Sequence, residues 1–395
     1  MTATHAQNCT VPTSPVLYLS LELGWNTWKF AFTIGPGQKP RLRCIRARNL
    51  AACVAEIRAA KARFGLPEDA KVISCYEAGR DGFWIHRFLL ASGVENIVVD
   101  SASIEVNRRK RRAKSDRLDA IKLVAMLMRW CNGESKVWSV VHPPSAEAED
   151  HRQLHRELIA LKGERTGHIN AIKGMLAGVG LQCSVTESLA KRLETLRQWN
   201  NEPLLPGLRQ RIVREFERWQ VVGRQIRELE RERAEKIRDD RTPDVQKTRQ
   251  LLGLGGIGEN GAWLLVQEVF GWRAIKNRRQ LGSLAGLAPT PYDSGESRRE
   301  QGISKAGNRR VRWMMVQLAW CWLHYQPESA LSQWYHQRFG AGKARQRKIG
   351  IVALSRKLLI ALWQYLETGK PPEGAEVSGW DQKTRFKAVP SKQAS

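Results

Sequence analysis

The sequence predicts an α/β domain followed by a mostly helical remainder. Between residues 15 and 143, short apolar runs of strand length alternate with stretches of helical periodicity. After residue 144, apolar residues recur every three or four positions along long charged stretches, as on amphipathic helices. We therefore expect a helical or coiled-coil region at 144–241 and a mostly helical C-terminal domain at 242–368. The polar segments 1–14 and 369–395 are expected to be disordered or flexible.

The first domain is predicted to run strand hairpin, strand, helix, strand, helix, strand, basic loop and helix. Gly24 and Asn26 separate the first two apolar runs, which is typical of a hairpin, and Gly65 ends the first helix. This order predicts a mixed sheet. The expected strands are Val16 to Glu22, Trp28 to Ile34, Arg41 to Arg46, Lys71 to Tyr76 and Asn96 to Asp100, with helices at Leu50 to Phe64 and Gly82 to Leu90.

Two long helices are predicted in the middle region, from Glu147 to Leu176 and from Pro206 to Asp239. Each carries one apolar stripe between faces dense in Glu and Arg. This pattern is typical of an antiparallel coiled pair or of a coiled-coil dimer arm, and a packed helical subdomain fits it equally well.

A glycine-rich turn, Gly253 to Gly258, lies between helical stretches of the third region. It resembles a helix-hairpin-helix module that presents backbone N–H groups to a DNA phosphate, and a plain tight turn is the alternative. No Gly-Lys-Ser/Thr follows, so the turn is not a Walker loop. Beyond it we expect a polar loop from Pro289 to Gly302 and helices over Asn277 to Ala285, Asn308 to Tyr325, Ala330 to Phe339 and Gln346 to Leu366.

The composition indicates a polyanionic partner. The net charge is +26 over 395 residues, which favours nucleic acid over a membrane surface because the basic residues are spread along the whole chain. No apolar run reaches about 18 residues, so no transmembrane helix is expected, and the polar N-terminus predicts no signal peptide. Seven scattered cysteines without a C-x-x-C pair predict a reducing cytoplasm and no structural zinc.

Four carboxylates form the candidate site. Asp116 and Asp119 lie three residues apart at the start of an apolar helical run, so they share one helix face and require a cation between them. Oxygen ligands of this kind suit Mg²⁺ or Mn²⁺, although a helix start capped by Ser115 is the simpler alternative. Glu22 and Glu77 each end a predicted strand. In a ribonuclease-H-like (RuvC-like) sheet, carboxylates at these places converge and hold two divalent metals for phosphoryl transfer.

Motifs at both ends of the chain resemble one family, the bridge-RNA-guided insertion-sequence transposases (the insertion-sequence one-hundred-and-ten family). The N-terminal resemblance rests on Tyr76-Glu77-Ala78-Gly79 and Lys114-Ser115-Asp116-Arg117-Leu118-Asp119-Ala120. The C-terminal resemblance rests on Leu284-Ala285-Gly286-Leu287-Ala288-Pro289, Ser294-Gly295 and Gly302-Ile303-Ser304-Lys305-Ala306-Gly307-Asn308. Together these motifs extend the likeness from about Val16 to Leu366.

The resemblance implies an Asp-Glu-Asp-Asp tetrad, which Glu22, Glu77, Asp116 and Asp119 would supply here, with Glu22 in place of the usual Asp. It also implies a serine that attacks DNA and forms a covalent phosphoserine link. Ser294 is the first candidate, because Gly295 lets the backbone approach a phosphate. Ser304 is the second candidate, with helix N-cap as its competing role, and Ser297 is the third.

The resemblance further implies a DNA substrate, a structured guide RNA, a homo-oligomer without membrane contact, and a bacterial, nucleoid-associated cytoplasmic location. Basic residues expected to bind nucleic acid are Arg108, Arg109, Lys110, Arg111, Arg112, Lys114, Arg298, Arg299, Lys305, Arg309, Arg310 and Arg312. Two other functions fit the same residues: a Holliday-junction-resolvase-like nuclease that needs no serine, and an inactive nucleic-acid-binding remnant. A sugar-kinase-like fold is disfavoured, because its second half would need a glycine-rich adenosine loop.

Overall fold

The computed structural model describes residues 15–80, 82–104, 116–134, 136–294 and 297–378; of residues 102, 293, 294 and 297–300 it describes the backbone alone. The chain divides into two compact units, unit 1 ending at Pro144 and unit 2 beginning at Ser145. The division lies one residue from the domain boundary expected from the sequence.

Unit 1 is built on a six-stranded mixed sheet of order β3-β2-β1-β4-β5-β6. β1 pairs in parallel with β4, and β4 in parallel with β5, whereas the other three pairings are antiparallel. The predicted mixed sheet is therefore confirmed. The two-residue β6 was not predicted, because so short a strand leaves no alternating pattern in the sequence. The strands are β1 Leu17–Leu23, β2 Thr27–Thr33, β3 Arg41–Arg46, β4 Val72–Glu77, β5 Glu95–Val99 and β6 Val140–Val141.

Both faces of this sheet are covered, which explains why its central strands are nearly all apolar. Leu19 and Leu21 of β1 pack in one core with residues of α1 and α2, such as Ile57 and Leu89. The opposite face of the sheet packs on α3, for instance through Leu123. The helices of unit 1 are α1 Leu50–Arg63, α2 Trp84–Ala91 and α3 Asp116–Cys131.

Unit 2 begins with a helical hairpin of α4 (Ala146–Ala177) and α6 (Pro206–Asp239), with the short α5 (Leu189–Thr195) packed at its end. The two long helices run antiparallel, since Lys162 of α4 pairs with Glu230 at 2.7 Å whereas His168, further along α4, contacts the earlier Glu215. Of the arrangements that the sequence left open, the structure shows an antiparallel pair within one chain.

The rest of unit 2 is mostly helical around a core that includes the fully buried Trp263 and Trp322. By length and composition, α12 is the one helix in the described part of the chain that could cross a membrane. One face of α12, including Leu358 and Leu359, is completely buried in this core, as in a core helix of a globular domain. The helices are α7 Pro243–Leu252, α8 Glu259–Leu265, α9 Arg278–Leu284, α10 Arg309–Tyr325, α11 Ala330–Tyr335 and α12 Ala344–Thr368, with π-helical turns at Val266–Phe270 and His336–Gly340.

Two expectations for unit 2 need correction. The segment expected to be a polar loop forms an antiparallel hairpin, β7 (Pro289–Ser294) and β8 (Ser297–Ile303). No strand signal is present in the sequence here, because polar residues follow one another in this segment without the apolar–polar alternation of a strand. Of the segment 369–395, expected to be a flexible tail, the described part ends at Ser378, whose N–H donates to the carbonyl of Gly253 at 3.0 Å; residues 379–395 lie outside the described residues.

The glycine-rich turn between α7 and α8 is packed inside unit 2. A side chain on Gly255 would approach Gln326 Nε2 to 2.7 Å, and Gly256 has φ +81° close to the carbonyl of Cys321. Glycine is therefore needed here for close packing on α10. This packing favours the tight-turn interpretation over a turn that presents its amides to DNA.

Candidate functional site

Glu22 and Glu77 lie side by side at one edge of the sheet of unit 1. The parallel register of β1 and β4 ends with Leu21 opposite Tyr76, and the next residue on each strand is a glutamate. Because side chains alternate along a strand, Glu22 shares the face of Ser20, and Glu77 shares the face of Cys75. Ser20 and Cys75 both contact backbone carbonyls of α3, so the two half-buried glutamates lie on the sheet face that α3 covers.

The start of α3 is held over this edge. Ser20 is completely buried, and its hydroxyl donates to the carbonyl of Ala120 at 2.6 Å. Asp116 and Asp119 lie in the first turn of α3, where the helix dipole favours negative charge. The structure therefore brings the predicted carboxylates to the same edge; we call Glu22, Glu77, Asp116 and Asp119 the acid edge.

A lysine occupies part of this edge. Lys29 of β2 stands directly opposite Glu22 in the antiparallel register, and its Nζ lies 2.7 Å from Asp116 Oδ2. The hydrogen bond to Asp116 raises the pKa of Lys29, and the charges of Asp116, Cys44 and Glu22 act in the same direction. The acid edge thus attracts a cation, and in this structure the cation is an ammonium group.

The donor chemistry of the acid edge suits a hard divalent cation, because four carboxylates supply only oxygen ligands. Among the described residues, however, no group of three or more His, Cys, Asp or Glu side chains is clustered closely enough to hold a metal. Asp116 is exposed and paired with Lys29. Its carboxylate would have to exchange this partner before the carboxylates could share one ion.

An aromatic and cationic group that the sequence analysis missed lies at the hairpin next to the acid edge. Trp25, at the turn after β1, is 61% exposed. The guanidinium groups of Arg48 and Arg80 lie 4.6 and 4.7 Å from its ring centroid. Trp25 follows Glu22 by three residues, and Arg80 follows Glu77 by three. This shared spacing was the one signal in the sequence that could have placed them next to the acid edge. Exposed aromatic rings flanked by arginine are typical of surfaces that bind single-stranded nucleic acid.

The candidate serines lie in unit 2. Ser294 ends β7 and pairs with Ser297 across the turn of the hairpin. The side chains of Ser294, Ser297, Arg298 and Arg299 lie outside what the structure describes, as does all of Gly295. Ser304 is half-buried after β8. Its expected alternative role as a helix cap is wrong, because Asn308 caps α10 and accepts from the N–H groups of Arg310 and Val311.

The two C-terminal motif segments cross with their backbones in contact, which explains their glycines. Gly307 has φ +120°, and a Cβ there would lie 2.4 Å from the carbonyl of Leu284. Gly286 has φ +66°, and a Cβ there would meet the guanidinium of Arg312 at 2.4 Å. Arg312 itself donates to the carbonyls of Ala285 and Lys305. Arg312 therefore holds the two segments together, and its predicted role in phosphate binding stays a prediction.

A buried carboxylate fixes this crossing to the long helix α4. Glu268, in the π-helical turn and 2% exposed, accepts from Arg156 Nε at 3.0 Å and from Asn308 Nδ2 at 3.0 Å. Burial alone would raise the pKa of Glu268, but the hydrogen bonds and charges of Arg156, Arg152 and Asn308 lower it overall. Glu268 is therefore an anion that holds Asn308, and with it the start of α10, in place.

The predicted basic residues have different outcomes. Arg309, Arg310 and Lys305 are exposed around the N-terminus of α10, where they can reach a phosphate. The run from Arg108 to Arg112 and Lys114 lies outside the described residues. Nucleic-acid binding by this run stays a prediction.

Comparison with known proteins identifies the family. Residues 248–334, which include β7, β8 and α10, match the family described as Transposase IS116/IS110/IS902. The chain is 40% identical over 374 residues to "Putative transposase y4rJ" of Sinorhizobium fredii, covering 91% of this chain and 94% of that protein. The chain belongs to the IS116/IS110/IS902 family of transposases. The predicted insertion-sequence family is thereby confirmed, and its guidance by RNA stays a prediction.

A second transposase is more distantly similar to this chain. The transposase for insertion sequence element IS1328 of Yersinia enterocolitica is 28% identical over 226 residues, covering 56% of this chain and 64% of that protein. The family region of 248–334 contains the crossing of Gly286 with Gly307. The family region therefore coincides with the part of unit 2 that positions the candidate serines.

Proposed function

We propose that this transposase cuts and rejoins DNA at the ends of an insertion sequence through a composite site, with the acid edge in unit 1 and Ser294 in unit 2. The observation that carries the proposal is the placement of all four described acids at one edge of a mixed sheet whose strand order, β3-β2-β1-β4-β5, suits a ribonuclease-H-like domain. The family of the chain supports the DNA substrate.

In this proposal the oxygen of Ser294 attacks a DNA phosphorus, and the bond from that phosphorus to one deoxyribose oxygen breaks. The hydroxyl proton passes to a base, a role for which a carboxylate of the acid edge is suited, and the leaving oxygen takes a proton. A serine ester keeps the phosphodiester energy for rejoining. Mg²⁺ or Mn²⁺ held by Glu22, Glu77, Asp116 and Asp119 would supply Lewis acidity at the reacting phosphate.

The chain's own residues have separate tasks in this mechanism. We call the hairpin of β7 and β8, which carries Ser294, the serine hairpin. Arg309, Arg310 and Lys305 bind the phosphates of the DNA strand that reaches this hairpin. Trp25, with Arg48 and Arg80, holds an unpaired base beside the acid edge. Because the acids and the serine belong to different units, we propose that an oligomer assembles them.

The deciding experiment uses labelled element-end DNA and the RNA transcribed beside the gene, analysed on a denaturing gel for a covalent protein–DNA band. Ser294→Ala is expected to lose the band, and Asp116→Ala is expected to lose cleavage while retaining DNA binding. Mixing the two variants should restore part of the activity, because a hybrid oligomer contains one intact site. Ser184→Ala, at an exposed position of unit 2 outside the β7–β8 hairpin, is the matched control.

Three outcomes of this experiment would revise the mechanism. A covalent band that persists in Ser294→Ala but vanishes in Ser304→Ala would move the nucleophile to Ser304. Normal cleavage by both variants would replace the serine mechanism with a resolvase-like hydrolysis by water. Activity unaffected by ribonuclease, with no RNA bound to the purified protein, would refute guidance by RNA.

One observation favours a second function, nucleic-acid binding without cleavage. Glu22 stands where the resembled family has Asp, and the ammonium of Lys29 is paired with Asp116. The longer Glu side chain shifts the carboxylate by about an ångström, a scale to which catalysis is sensitive. Two variants distinguish these functions. Cleavage by wild type and by Glu22→Asp that is lost in Glu22→Gln supports the enzyme. Cleavage by neither wild type nor Glu22→Asp supports the binding remnant.

A further inference from the structure

A large cavity lies in unit 2 beside the serine hairpin. None of the acid-edge residues lines it, and Lys305 is the one lining residue that the sequence analysis had predicted to bind nucleic acid. Its volume is about 850 Å³, and α9, α11, α12 and both strands of the hairpin contribute to its wall. This volume falls within the about 300–1,000 Å³ typical of ligand sites. The cavity is therefore large enough for a ligand of nucleotide size.

The rim of the cavity is strongly basic. Seven of its lining side chains are Arg or Lys, and none of the described ones is acidic. One stripe of α12 supplies most of them, because residues three or four apart on a helix share a face. The basic residues are Arg278, Arg279, Lys305, Arg345, Lys348, Arg356 and Lys357. So many cations without a described counter-anion suit several phosphates in succession rather than one small anion.

The floor of the cavity is apolar and partly aromatic. Val352 and Ile360 of α12 lie between the basic residues, and Ile349 is 55% exposed at the margin. Trp334 adds an aromatic ring, with Lys357 Nζ 4.5 Å from its centroid. A chain of phosphates alone gains nothing from such a floor, whereas a nucleobase buries its faces against apolar and aromatic side chains.

We propose that the cavity holds one unpaired nucleotide of the DNA strand that reaches the serine hairpin, with its base on the floor and its flanking phosphates on the rim. The proposal rests on the proposed function, since DNA meets this cavity only if the hairpin engages DNA. Pro289 lines the cavity and Ser294 lies five residues further along β7. At about 3.3 Å per residue, the distance along β7 from Pro289 to Ser294 is roughly 17 Å, which about five stacked nucleotides span.

The described lining offers RNA little that it does not also offer DNA. Apart from Gln301, the described side chains of the cavity wall are either cationic or apolar. Cations and hydrocarbon groups cannot accept a hydrogen bond from a 2′-hydroxyl, the group by which proteins recognise RNA. Among the described side chains of this wall, Gln301 alone could therefore accept from a 2′-hydroxyl.

The test measures binding of the full-length protein to three labelled duplexes of the same sequence: one fully paired, one with a single unpaired nucleotide, and the latter with that base replaced by an abasic site. Wild-type protein should prefer the unpaired base over the abasic site by about tenfold, as expected for one stacked base. Ala353→Trp, which fills the floor, should abolish this preference. Ala160→Trp, at an exposed position on α4, is the matched control.

A second pair of variants separates the rim from the floor. Lys348→Ala should weaken binding to all three duplexes and reduce the slope of log affinity against log salt by about one. Arg231→Ala, at an exposed position on α6, is its control. If Ala353→Trp fails to fold, Ile349→Asp repeats the floor test at an exposed position.

Two results would overturn the proposal. One is an unchanged preference for the unpaired base in Ala353→Trp and Ile349→Asp, which would leave only a phosphate-binding groove. The other is tighter binding of the matching single-stranded RNA than of the DNA, with the loss in Ala353→Trp confined to RNA. The covalent band of the same preparations is read separately, so failure of the serine mechanism is distinguishable from failure of the cavity.

Discussion

Replacing Glu268 with glutamine is expected to loosen the segment that carries Ser304 and Lys305. Glu268 is the buried anion that joins Arg156 of α4 to Asn308 at the start of α10. Glutamine keeps the size and one acceptor oxygen but removes the charge. The guanidinium of Arg156, 30% exposed, then loses its anionic partner.

The magnitude follows from these contacts. A hydrogen bond to a charged group contributes about 1.5–3 kcal/mol and a neutral one about 0.5–1.5 kcal/mol. Removing the charge of Glu268 weakens its bonds to two partners, Arg156 and Asn308, and this loses roughly 2 kcal/mol. A partly buried arginine without its anion adds to this loss, although the exposure of Arg156 keeps the addition small. We expect a total of about 3 kcal/mol, or a fall in the melting temperature of roughly 6–12 °C for a domain of this size.

The effect should depend on pH in one direction. The folded-state pKa of Glu268 is lowered, so its stabilising contribution is complete above the unfolded value of about 4.3 and is lost as pH falls through the lowered pKa. The difference in melting temperature between wild type and Glu268→Gln should be constant from pH 6 to 8 and shrink below about pH 4. Thermal unfolding followed by circular dichroism measures it.

Glu157→Gln is the matched control, because Glu157 is an exposed residue of α4. It should shift the melting temperature by less than about 2 °C, as exposed substitutions usually do. A Glu268→Gln protein as stable as this control, or a stability difference that persists unchanged to pH 3, would refute the assignment of Glu268 as a structural anion.

Four further outcomes are expected. Lys29→Met should tighten Mn²⁺ binding, measured by calorimetry, by no more than about fivefold, since exposed ion pairs are weak; weaker binding would make Lys29 a supporting group of the site. Gly307→Ala should destabilise unit 2 by about 1–3 kcal/mol in urea unfolding, whereas Gly163→Ala, in open space on α4, should not destabilise it. Trp25→Ala should weaken single-stranded DNA binding in an anisotropy titration by about tenfold more than duplex binding, and equal losses would exclude base stacking. Burial lowers the pKa of His155 to about 4, so wild-type protein should lose about 2 kcal/mol of stability between pH 7 and 5, a loss that His155→Phe should not show.

The sequence by itself determined the long helices, the main strands of unit 1 and the family. Pro206 starts and Asp239 ends α6 as expected, because a long apolar stripe with proline at the first turn defines a helix without tertiary help. The family followed from two distant motifs, and Glu77 lies at the end of β4 as expected, because an apolar run of strand length followed by Glu-Ala-Gly defines a strand end.

Only the tertiary structure decided which side chains meet. The partnership of Lys29 with Asp116 joins residues 87 positions apart, and it depends on the strand register and on the placement of α3 over β1. Glu268 gave no signal in the sequence, since its role exists only where α4, the π-helical turn and α10 converge. Local propensity fixes backbone conformation within a few residues, whereas contacts at long sequence separation depend on how the cores pack. For that reason the acids could be found from the sequence, while their lysine partner and the basic cavity could not.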